Sequence, residues 1–190
     1  LDRAYGEDTD IVVKYGEIFM DALDKHNIIS VLKHFPGHGS AKGDSHEGFV
    51  DITSTWNEIE LSPYKSLLHK TNMIMSAHVF NAKLDDKYPS TLSYSTNTKL
   101  LRERLGYDGV LVTDDLQMFA IQKHYSKEKA IELAINSGAD MLMYCNQLGD
   151  DDTNETIEIM KHLVLSGKIP IKRIEEANRR IDKLLNRIDI

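Results

Sequence analysis

The chain has 190 residues, 41% of them hydrophobic and 28% charged, with a formal net charge of −7. That composition supports a packed core, and the acidic balance gives no electrostatic basis for binding nucleic acid or an anionic membrane. No apolar run approaches the roughly 18 residues of a membrane span, and a single cysteine, Cys145, excludes an internal disulfide.

The chain opens "LDRAYGED", without an initiator Met or a signal-peptide pattern, so it reads as starting inside a longer sequence and gives no compartment. A first helix is expected over Glu7–His26, with Val12, Tyr15, Ile18, Phe19, Ala22 and Leu23 on one stripe. "NIISVLKHF" (Asn27–Phe35) comes next as a continuous apolar run. "NMIMSAHV" (Asn72–Val79), "GVLVTDD" (Gly109–Asp115) and "ADMLMYC" (Ala139–Cys145) are of the same kind. Runs of this type, without alternation, are how strands covered on both faces read in parallel α/β architecture. Between them lie helix candidates. Thr55–Lys70 is interrupted by Pro63, "NTKLLRERLG" ends on Gly106 and "KEKAIELAINSG" on Gly138. Two helices close the chain, near Thr153–Ser166 and Ile171–Arg187, the latter entered from Pro170.

Four strand–helix alternations predict an α/β fold with a parallel sheet. A closed barrel needs eight strands and roughly 250 residues, so four would be half of one. An open, doubly wound sheet fits the pattern equally. In either case ligands sit at the carboxyl ends of the strands. Three of the runs end in chemically capable side chains: Lys33 and His34, then His78, then Asp114 and Asp115.

The segment "KHFPGHGSAKGDSHEGF" (Lys33–Phe49) carries three histidines, two acidic residues and four glycines, too irregular for helix or strand. Pro36-Gly37 turns the chain. Asp44 lies two residues before His46, so its carboxylate can orient the imidazole and raise its basicity, which equips the pair for proton transfer. An Asx-turn beside an exposed histidine is the plainer alternative. The glycines are no phosphate cradle, because no G-K-[ST] motif is attached to them. In "VTDDLQM" one aspartate faces the strand-end rim and its neighbour turns away to cap the next helix; alternation does not say which. Ser45, Ser76 and Ser93 lie outside any G-x-S-x-G elbow. His26, His69, His124 and His162 fall on expected helices or their ends.

"KHFPGHG" with the later "DSH" and "VTDDLQM", together with "DRAYGED", "SAHV", "LRERLGYDGVLVTDDLQM" and "SGADMLMYCN", resembles the bacterial β-N-acetylglucosaminidase branch of glycoside hydrolase family 3 over nearly the whole chain. The resemblance implies a TIM-type (β/α)8 barrel of which this chain supplies about the last four β/α units, the N-terminal barrel half being absent. It implies retaining hydrolysis of terminal β-linked N-acetylglucosamine without metal or cofactor, typically from peptidoglycan fragments (muropeptides). Residue by residue, Asp114 matches the nucleophile, His46 the acid/base and Asp44 its partner; Arg3, Lys33 and His34 match sugar-binding residues. Lys33 is then the expected cationic neighbour of Asp114. A neutral imidazole base would also tolerate an anionic acceptor such as phosphate.

Two other readings compete. A metal-dependent barrel hydrolase would use His34, His38, His46, His78 and Asp114 as ligands. A non-catalytic sugar-binding module would bind saccharide without turnover.

Overall fold

The computed structural model describes residues 4–43, 48–146 and 152–187. The first helix, α1 (Thr9–Asp24), starts where Asp8 accepts hydrogen bonds from the backbone N–H groups of Asp10 and Ile11. It leads into strand β1 (Val31–Phe35), and a two-residue strand β2 (Val50–Asp51) comes after the irregular segment. Where one helix was expected, a 3₁₀ turn (Glu58–Leu61) capped by Asn57 precedes α2 (Ser62–Leu67). Pro63 explains the break, since it has no N–H to continue the ladder and fits the first turn of a fresh helix.

Strands β3 (Met73–Ser76) and β4 (Val79–Phe80) come next, then a 3₁₀ turn at Ser90–Leu92 and a π-helix over Ser95–Arg104. Gly106 ends it at φ 74°, the left-handed stop that its sequence position predicts. Strand β5 (Val110–Asp115), a short α3 (Phe119–Gln122), α4 (Lys127–Ser137), β6 (Met141–Met143), α5 (Thr153–Leu165) and α6 (Ile171–Leu185) complete the order.

The four longer strands form one parallel sheet in the order β1-β3-β5-β6. Each strand therefore lies beside the one reached by the preceding crossover, and the order never reverses. That is the progression around a barrel; a doubly wound sheet changes direction at its switch point. Strand β5 is buried along almost its whole length, and Val110 and Leu111 are fully covered. The small parallel pair β2–β4 (Val50 opposite Val79, Asp51 opposite Phe80) was not foreseen. Two residues are too short for periodicity to register.

Hydrophobic burial falls in separate clusters, one on the β1–β3–β5 side, where Phe35, Trp56, Leu61, Tyr64, Ile74 and Leu111 meet, and one at the α4–α5 contact through Ile131, Ile135 and Leu163. The stripe expected on α1 is buried only in part: Val12 and Leu23 are partly covered, the other four are not. Tyr15, Ile18, Phe19 and Ala22 are exposed, and the covered face runs through Val13, Gly16, Met20 and Leu23. Gly16 explains the rotation: a Cβ there would stand 3.2 Å from Leu67 of α2, so the missing side chain lets the two helices approach.

Candidate active site

The carboxyl ends of β1, β3 and β5 carry the chemistry. At the end of β5 the two aspartates part company. Asp114 keeps a partly exposed side chain on the rim. Its Oδ1 accepts from the backbone N–H of Asp115 at 2.9 Å, and its Oδ2 lies 3.7 Å from His34 Nε2. Asp115 is turned inward, 6% exposed, and its Oδ1 accepts from the N–H groups of Gln117 (3.0 Å) and Cys145 (3.3 Å). It caps the turn after β5 and ties it to the exit of β6; the N-cap of α3 is Met118. The ambiguity left by strand alternation is thus resolved by packing. Burial and then the Asp115 carboxylate push the Cys145 thiol up, so at neutral pH it stays protonated and offers no competing thiolate.

At the end of β1, His34 is half-buried and stacks edge-on against His38, ring centroids 5.9 Å apart. Lys33 is exposed and forms no ion pair among the described residues; the group within 4 Å of Asp114 is His34, where the sequence suggested Lys33. The irregular segment leaves β1 through two cis peptide bonds, Lys33–His34 and Phe35–Pro36. Its first part is anchored. Trp56 Nε1–H donates to the Pro36 carbonyl at 3.1 Å, and Ser40 Oγ donates to Glu60 Oε1 at 2.7 Å. Its far stem enters β2 at Val50. Asp44 and His46, the expected proton-transfer pair, and Arg3, an expected sugar ligand, lie outside the described residues.

At the end of β3, His78 is buried at 1% exposure between two elements. Nδ1 lies 2.9 Å from Thr91 Oγ1, and Nε2 lies 2.8 Å from the Asp115 carbonyl oxygen. With both ring nitrogens engaged, His78 is removed from the metal-ligand set considered above. Among the described residues no three His, Cys, Asp or Glu side chains are grouped to hold a metal ion.

Sequence reasoning missed two supports of this rim. Gln117 and Asn146 exchange hydrogen bonds, Gln117 Nε2 to Asn146 Oδ1 at 3.0 Å and Asn146 N to Gln117 Oε1 at 2.6 Å, lacing the loop after β5 to the loop after β6. Glu60 secures the start of the β1 segment. Neither pair is adjacent in sequence, and each joins loops that only the folded sheet brings together.

Comparison with known proteins places this arrangement. The model for the glycosyl hydrolase family 3 N-terminal domain matches residues 1–184. A β-hexosaminidase of Tolumonas auensis is 34% identical over 150 residues, 76% of this chain and 45% of that protein. One of Idiomarina loihiensis is 31% identical over 181 residues, 94% and 52% of the two chains. The β-N-acetylglucosaminidase of Thermotoga maritima superposes with a TM-score of 0.86 at 29% identity, over 97% of this chain and 40% of that one. Zinc-bound CbsA of Thermotoga neapolitana gives 0.90 at 28%, over 99% and 41%. The chain thus spans about half the length of the curated relatives it matches. Its sequentially ordered parallel strands are part of a TIM-type barrel, and the chain belongs to glycosyl hydrolase family 3.

Proposed function

We propose that the protein is a retaining β-N-acetylglucosaminidase that releases terminal β-linked N-acetylglucosamine, with peptidoglycan fragments as the natural source. The carrying observation is Asp114. Its carboxylate stands at the carboxyl end of β5, one oxygen tied to backbone and the other turned towards His34 on the same rim. A carboxylate so held is prepared to attack an anomeric carbon, because its orientation is set before substrate arrives.

Retaining hydrolysis needs a second group that protonates the departing oxygen and then activates water, usually a carboxyl about 5–5.5 Å from the nucleophile. In this reading His46 takes that part and Asp44 orients its ring. Imidazole titrates near neutral pH and can act as acid and then base with little tuning. The segment bearing the pair starts from β1, whose His34 lies 3.7 Å from Asp114, and the chain resumes at β2. Lys33, His34 and Arg3 bind sugar hydroxyls, and the remaining barrel units complete the pocket. The names of the β-hexosaminidase relatives support this substrate class.

The test uses the full-length protein. Asp114→Ala should abolish cleavage of an aryl N-acetylglucosaminide. His46→Ala should slow poor leaving groups far more than activated ones, since only the former need the acid, an effect of roughly 10²–10⁴-fold. Cleavage by Asp114→Ala at the wild-type rate would refute the assignment. A zinc content of one ion per chain, lost together with activity on chelation, would favour the metal-dependent reading instead.

A further inference from the structure

The regular pairing of β3 with β5 runs from Met73 opposite Val110 to Met75 opposite Val112. On the other side, the β5–β6 register shifts between Val112 and Asp115. The two aspartates at the end of β5 therefore extend past the last regular rung shared with β3. A side chain takes over there. His78 reaches across from the exit of β3 and meets the Asp115 carbonyl at 2.8 Å.

The chemistry of the contact fixes the ring. A carbonyl oxygen only accepts, so Nε2 carries the proton. In the neutral imidazole Nδ1 is then an acceptor, and its partner at 2.9 Å is the Thr91 hydroxyl. Thr91 Oγ1 in turn accepts from Ser76 Oγ at 3.1 Å. The Thr91 hydroxyl also has the Ala77 carbonyl as an acceptor at 2.8 Å, an oxygen that takes the Thr91 N–H at 3.0 Å as well.

We infer that His78 is a positioning residue for the nucleophile: with its Nε2–H donating to the Asp115 carbonyl, it holds that backbone and through it aims the Asp114 carboxylate. The inference rests on the reading of Asp114 as nucleophile. Asp115 is gripped at three points. Its N–H holds Asp114 Oδ1, its carbonyl accepts from His78 and from Met118 N–H (3.0 Å), and its carboxylate accepts from Gln117 and Cys145. Asp115 is thus the frame in which Asp114 is oriented, and His78 is the part of that frame contributed by the neighbouring strand. A displacement of about 1 Å at a reacting group can cost roughly a hundredfold in rate.

The experiment measures covalent labelling of the full-length protein by 5-fluoro-N-acetylglucosaminyl fluoride, with intact and peptide mass spectrometry as the readout. Compared are wild type, His78→Asn, His78→Gln and Thr91→Val. The Gln amide can place an N–H where Nε2–H stood; the shorter Asn cannot. His78→Asn should lower the maximal labelling rate about 10- to 100-fold while the half-saturating concentration shifts less than about threefold and every chain is finally labelled. His78→Gln should recover most of the rate, and Thr91→Val should fall between. Wild-type labelling rates in all three variants would overturn the inference, as would rates that drop only in proportion to the labelled fraction, the mark of lost fold. If His78→Asn fails to fold, the Gln and Val variants carry the same comparison. A wild-type label on a residue other than Asp114 would instead defeat the functional reading on which the inference stands.

Discussion

Gly37 shows how one residue can fix the path of a functional segment. It sits at φ 127°, a left-handed conformation that side chains rarely adopt, and a Cβ there would stand 2.7 Å from Glu60 Oε2 and 2.8 Å from Glu60 Cβ. Glu60 is the same residue that holds Ser40. Gly37→Ala should therefore cost about 1–3 kcal/mol of stability and displace the start of the segment bearing Asp44 and His46. Calorimetry reads the first effect; the second appears as a larger rate loss on poor than on activated leaving groups. At the rim, Lys33, His34 and Asp114 each have a plain structural role when taken singly, and only their occurrence together with the "DSH" motif carried the resemblance. Their individual orientations were not legible in the sequence. Asp114 and Asp115 are equivalent by alternation, and only the N–H groups of Gln117 and Cys145 single out Asp115 as the inward member. Likewise His34, and not Lys33, turned out to face Asp114.

Elements were legible where their physical signal is long. Continuous apolar runs marked β1, β3, β5 and β6, and the stop at Gly106 marked the helix before it though not its π type, while two-residue strands are too short to show a period. The closing helix α6 shows how charge locates an amphipathic element. Arg179 and Arg180 bind Asp108 just ahead of β5, with Arg179 Nη2 2.7 Å and Arg180 Nε 3.0 Å from Oδ1. Deeper in, Arg102, Arg173 and Arg180 converge on the buried Asp140, whose Oδ2 also accepts from the Leu111 N–H at 3.0 Å. The Arg179 hydrogen bonds hold the Asp108 carboxyl well below the usual carboxylate range. A carboxyl depressed in the folded state stabilises above its unfolded pKa of about 3.9 and loses that contribution as pH falls through the folded value. The Tm gap between wild type and Asp108→Asn should thus be constant from about pH 5 to 8 and narrow below about pH 4. Thermal scans across that series decide it; a gap that widens in acid would contradict the sign.

For the molecule as a whole, strand pattern alone left a barrel and an open sheet equally acceptable, since both alternate strands and helices. The missing information was spatial order, which β1-β3-β5-β6 supplies. The side of α1 turned away from α2 remains apolar: Ile18 and Phe19 are each 56% exposed, beside Tyr15 at 48%. Sequence periodicity took this stripe for core because hydrophobicity does not say which partner covers it. Ile18→Lys should leave the stability of this chain within about 0.5 kcal/mol and reduce its concentration-dependent association in sedimentation velocity. A collapse of Tm would show that the stripe is core within the chain itself.

The two halves of the proposed chemistry are also built by different parts of the chain. Trp56 and Glu60, which moor the segment leaving β1, belong to the stretch directly after it. The clamps on Asp115, the residue that frames Asp114, come from His78, Gln117 and Cys145, all further along. Natural variation could therefore retune the response to different aglycones within residues 36–60, leaving the bond-forming carboxylate, its neighbour His34 and the scaffold behind them untouched, and the two traits would be inherited as separate modules.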